Sequence, residues 1–122
     1  MENKPNWGII KFLLEQIYYN GSCSLNDLGS NYSQQEVLRY AQLLVNEYWV
    51  KGQVDVRLGV PEDFKLTDLY LCGLDVLGML EHEPTWRKLE ELSKQKTFMP
   101  LDLVQTVYSQ EIKKEVYGGF FS

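Results

Sequence analysis

Histidine is almost missing from this sequence: His82 is the only one among 122 residues. Any Ser-His or Cys-His nucleophile pair, and any multi-histidine metal site, would have to be built around it. Its setting, Glu81-His82-Glu83-Pro84, is a polar junction between two helical segments and reads as an ordinary surface position. Cysteine is nearly as scarce. Cys23 and Cys72 lie far apart, with neither the Cys-x-x-Cys spacing nor the flanking histidines of a zinc site. Two thiols in a chain with no secretion signal are expected to stay reduced.

Long apolar runs are absent too. No stretch approaches the roughly 20 residues that cross a bilayer, and Met1-Glu2-Asn3-Lys4-Pro5 has neither the basic start nor the apolar stretch of a signal peptide. The expectation is a cytoplasmic protein with no membrane partner. The nine glycines form no phosphate-binding loop, which argues against nucleotide hydrolysis and a nucleotide cofactor. The adjacent carboxylates Glu62-Asp63 and Glu90-Glu91 do not oppose each other across a substrate bond. No catalytic, metal-binding or cofactor-binding residue is assigned, and an enzyme is not expected.

Basic residues are in deficit: 12 Lys and Arg against 17 Asp and Glu give a net charge of −5. Affinity for the nucleic-acid backbone comes from cations that neutralise phosphates, so strong non-specific binding is not expected. What the chain does have is the material of a folded domain, with 44% hydrophobic residues and sixteen aromatics spread along its length.

Apolar residues at helical spacing predict a first helix over Pro5–Tyr19, through Trp7, Ile10, Leu13, Leu14, Ile17 and Tyr18. Ser22–Tyr32, rich in Ser, Asn and Gly, reads as a loop holding a short strand or turn. Ser33-Gln34-Gln35-Glu36 has the form of a capping box, so a second helix starts there and runs to about Tyr48, with Val37, Tyr40, Ala41, Leu44 and Tyr48 on its inner face. Val54–Leu58 alternates like a half-buried strand, Gly59–Asp63 supplies turn residues, and Phe64–Thr67 returns, which predicts a β-hairpin. Helices follow over Leu69–Leu80, from Pro84 through Trp86, Leu89 and Leu92, and after Pro100. Trp86 reads as a core anchor.

The expected fold is mainly α with a small β-hairpin: a winged-helix-like core over 5–83, a helical extension over 84–117 and an apolar tail over 118–122, all in one domain. Helix, loop, helix, hairpin is the winged-helix order, in which DNA-binding members place the helix before the hairpin in the major groove. In detail the chain resembles an uncharacterised bacterial and phage family known as domain of unknown function 2513. The resemblance rests on Ser33–Leu44 with Tyr48-Trp49-Val50-Lys51-Gly52, on Leu69–Leu77 and on Thr85-Trp86-Arg87-Lys88-Leu89. Leu69, Gly73, Leu77 and Trp86 follow the family pattern, while Tyr70 and Val76 depart from it. The resemblance implies a winged-helix fold and no agreed chemistry.

Two kinds of partner stay open at this point. One is a protein, including a second copy of the chain. A stripe of Leu101, Val104, Tyr108 and Ile112 on the last helix, extended by Phe120 and Phe121 past a flexible Gly118-Gly119 joint, is the candidate dimer contact. The other is DNA, read by Ser33, Gln34, Gln35, Arg39 and Gln42, with Arg57 and Lys65 of the hairpin on phosphates. The helix carries Glu36, Arg39 and Glu47, a sum of −1, and the hairpin's Lys51, Arg57 and Lys65 are balanced by Asp55, Glu62 and Asp63. Acidity therefore favours the protein.

Overall fold

The computed structural model describes the backbone of residues 7–28, 32–93 and 101–121 and the side chains of 7–28, 32–92 and 104–117. The elements are α1 (Trp7–Asn20), β1 (Cys23–Ser24), a 3-10 turn (Leu25–Asp27), α2 (Gln34–Asn46), β2 (Val50–Arg57), β3 (Val60–Leu69), α3 (Leu71–Glu81), α4 (Glu83–Ser93) and α5 (Leu101–Phe121). The protein is mainly helical with one small antiparallel sheet, as the sequence predicts. The chain forms two compact units that divide within α3, Trp7–Leu77 and the residues from Gly78 on.

In Trp7–Leu77 the sheet order is β1-β3-β2, so the hairpin's returning strand is central. β1 pairs only Cys23 with Leu66 and Ser24 with Lys65. α1 and α2 pack on this sheet and on each other. Ile9, Ile10, Leu13, Leu14 and Ile17 of α1 are buried, with Val37, Leu38, Ala41 and Leu44 of α2 and Val50, Phe64 and Leu66 of the sheet. Burying a side chain of this size stabilises by about 1.5–3 kcal/mol, so this apolar layer is what holds the unit together.

Local signals explain the element ends, with some corrections. Ser33 is the N-cap of α2, yet its hydroxyl makes no capping bond. A tighter local pairing occurs earlier, where the Ser24 N–H donates to Asp27 Oδ2 at 2.8 Å and the Ser24 hydroxyl donates to the same oxygen at 3.2 Å. α2 ends two residues before the predicted Tyr48. The N–H of Trp49 donates to Leu44 O at 3.0 Å and that of Tyr48 to Val45 O at 3.1 Å, a Schellman closure. Such a closure needs a left-handed residue, and Tyr48 takes that role at φ 60°. Tyr48 is therefore exposed rather than on the inner face, and Leu38 takes a core place instead.

The hairpin turn is tighter than predicted: Leu58 and Gly59, at φ 52° and 78°, form the whole loop, closed by the Arg57–Val60 pair. Positive φ at both positions matches the strand twist, as in a type I′ turn. Val60–Asp63 are thus strand residues, with Pro61 opposite Val56 beside a bulge. The outer half of the hairpin is not half-buried, since Val56, Leu58 and Val60 are all exposed.

In the second unit α4 packs on α5. Val104 and Val107 of α5 and Leu89 of α4 are buried. α5 continues through Gly118 and Gly119 to Phe121, so a helix replaces the expected flexible joint. No helix among the described residues is long and apolar enough to cross a membrane.

Candidate functional site

Ser33, Gln34, Gln35 and Arg39 lie on the exposed side of α2, while Gln42 is half-buried; Arg57 on β2 and Lys65 on β3 are exposed. The field around them is unfavourable to phosphate. Trp7–Leu77 contains five Lys and Arg (Lys11, Arg39, Lys51, Arg57, Lys65) against nine Asp and Glu, a net −4. Asp55 faces Asp63 directly across the hairpin, and Glu62 adjoins them. Like charges in that register destabilise a sheet, and here they put negative charge beside the cations a DNA reader needs. Lys51 is further engaged, 5.1 Å above the Tyr70 ring.

His82 is not the plain surface histidine its sequence setting suggests. Its ring lies 5.4 Å from that of Tyr108, its Nδ1 is 2.7 Å from the Thr85 hydroxyl, and its Nε2 is 2.7 Å from Glu115 Oε1. Nε2 as donor to the carboxylate and a Thr85 hydroxyl paired with Nδ1 together occupy both ring nitrogens. Hydroxyl, imidazole and carboxylate in a row is the order of a hydrolytic triad. Thr85 is 0% exposed, however, so no substrate carbonyl can reach its oxygen. The network ties the start of α4 to α5, which sequence could not reveal because Glu115 lies 33 positions away.

No group of three or more His, Cys, Asp or Glu able to hold a metal occurs among the described residues. Both cysteines are free. Burial, and then the nearby Asp27 carboxylate, push the Cys23 thiol up to about 12, so it is no nucleophile. Cys72 is exposed and donates to Tyr48 O at 3.5 Å.

The dimer stripe on α5 needs correction. Val104 is fully buried within its own chain and cannot face a second copy; Tyr108 and Ile112 are half-buried, and the Leu101, Phe120 and Phe121 side chains lie outside the described residues. Trp86 is half-buried, while Thr85 and Leu89 of the same helix are buried.

Exposed apolar side chains remain on α5, at Val116 and Tyr117, and near the end of α2, at Leu43 and Tyr48; two further places in Trp7–Leu77 stand out. One is the hairpin tip, where Leu58 is 96% exposed. The other is a groove where the end of α1, the end of β3 and the start of α3 meet. It holds a cavity of about 320 Å³ lined by Ile17, Tyr18, Gly21, Thr67, Asp68, Leu69 and Leu74. The apolar spacing counts Tyr18 toward the first helix and makes Leu69–Leu80 an apolar helix, without saying which side chains stay outside. The available signal was that α3 is apolar all round, and an 11-residue helix on a surface buries only one side. Its inner side is Gly73, Val76, Leu77 and Leu80, and Leu71, Leu74 and Asp75 are left outside.

Comparison of the chain with protein-family models, with curated proteins and with solved structures gave no match.

Proposed function

We propose that this chain is a non-enzymatic regulatory or interaction module of winged-helix type whose partner is a protein. One observation carries the reading: the winged-helix-like unit combines a net charge of −4 with large apolar side chains held out in water, Leu58 and Leu71 at 96% and 80% exposure. Exposed apolar side chains gathered at a groove, as Tyr18 and Leu74 are, mark an interaction site, and an acidic surround is unsuited to phosphate backbones. Leu58 supports the same reading. A leucine in the left-handed region costs about 1–2 kcal/mol, and no packing in the unit offsets it. Residues that break local rules without structural gain concentrate at functional positions.

The second reading is sequence-specific DNA binding through α2, favoured by the exposed row of Gln34, Gln35 and Arg39. Glutamine and arginine are suitable for base edges, but the unit supplies few phosphate contacts. Titration at physiological salt against a pool of random 20-base-pair duplexes, before and after rounds of selection for bound sequences, separates the two. The expected dissociation constant is weaker than about 10 μM with a shallow salt slope; one tighter than about 1 μM with a steep slope overturns the protein reading.

A further inference from the structure

We infer that the groove between α1, β3 and α3 is a docking site for a peptide segment carrying a large apolar side chain beside a lysine or arginine. This rests on the protein-binding reading and names where and what the module binds.

The shape points to side chains rather than to a whole small molecule. A cavity of about 320 Å³ is at the small end of ligand pockets and accommodates one or two apolar side chains. Ile17 and Leu69 give it apolar surface, and Tyr18 and Leu74, 55% and 42% exposed, stand at its margin. Leu71, one turn before Leu74 on α3, continues the apolar surface outward. Tyrosine is among the residue types enriched at binding hot spots, and aromatic and aliphatic side chains are the usual lining of a ligand pocket.

The charge identifies the occupant. Asp68 lines the cavity and Asp75 follows Leu74 on the exposed side of α3, and no lining residue is basic. One oxygen of Asp68 accepts the Leu69 N–H at 2.8 Å, and neither aspartate makes an ion pair among the described residues. Two unneutralised carboxylates beside an apolar pocket attract a cationic side chain and repel phosphate, whether of nucleic acid or of an anionic lipid surface.

The test is selection of a random 12-residue peptide library on the full-length chain, followed by calorimetry with the selected peptides. Selected sequences are expected to pair Leu, Phe or Met with Lys or Arg and to bind in the micromolar range. Affinity is expected to fall at least tenfold in Leu74→Glu and in Asp75→Lys, both at exposed positions, with circular dichroism showing an intact fold. Asp68→Lys is expected to shift selection toward acidic peptides. Peptides insensitive to all three substitutions but lost in Leu58→Asp overturn the groove while leaving the protein-binding reading in place. Failure to select any peptide overturns the groove, and the duplex titration then decides the broader reading independently.

Discussion

Gly73 and Gly78 lie on the same helix, and replacing each with alanine should move stability in opposite directions. Helix propensity alone favours alanine over glycine by about 1 kcal/mol at either position. At Gly78 a Cβ meets nothing within 4 Å, so the gain should be realised, about 0.5–1 kcal/mol. At Gly73 a Cβ would fall 2.0 Å from the carbonyl oxygen of Trp49 and 2.9 Å from its carbon. Both atoms are backbone, so no side chain can swing aside. The start of α3 must instead recoil by more than 1 Å, far enough to break the Tyr70 N–H bond to the same Trp49 oxygen, which is 3.0 Å long. Overpacking costs about 1–3 kcal/mol and the lost bond about 1 more, against the propensity gain of about 1, leaving a net loss of about 1–3 kcal/mol. For a domain of this size about 4 °C accompanies each kcal/mol, so Gly73→Ala should lower the melting temperature by about 4–12 °C and Gly78→Ala raise it by about 2–4 °C. Thermal melts followed by circular dichroism read both. A Gly73→Ala chain as stable as the parent would refute the close approach of α3 to the α2–β2 junction.

Three further outcomes are expected. At pH 8 an alkylating reagent should modify Cys72 and spare Cys23 in the native chain, because burial and Asp27 hold the Cys23 thiol protonated up to about 12; mass spectrometry locates the adduct, and equal labelling contradicts the burial. Leu58→Asn should stabilise by about 0.5–1 kcal/mol, since asparagine tolerates the left-handed turn position that leucine resists, and a loss in urea denaturation would contradict the turn geometry. His82→Ala should cost about 1–3 kcal/mol and speed amide exchange in α4 and α5, because it leaves the buried Thr85 hydroxyl without its imidazole partner; unchanged exchange contradicts the tie.

Much of the framework was legible in the sequence because local periodicity and caps set it. The five helices and the hairpin follow from apolar spacing and from Ser33, Asn20-Gly21 and the Pro84 region. The hairpin loop was misplaced because Gly59-Val60-Pro61 carries strong turn chemistry, whereas the actual turn places Leu58 at a position glycine or asparagine normally fills. The groove was not legible: Tyr18, Asp68 and Leu74 come from three elements, and a uniformly apolar α3 does not say which of its sides is covered. Tyr48 was assigned inward because a 3.6-residue period was extended past the end of α2, where the Schellman closure reverses the backbone.

The proposal that the unit Trp7–Leu77 recognises protein and not nucleic acid can be tested by photo-crosslinking in the cells that make it. A photoreactive amino acid replaces Leu71 beside the groove in one chain and Arg39 on the exposed side of α2 in another. The account predicts a protease-sensitive, nuclease-resistant adduct from position 71 that is lost with Asp75→Lys, and none from position 39. A nuclease-sensitive adduct from position 39, with nothing from position 71, would contradict it.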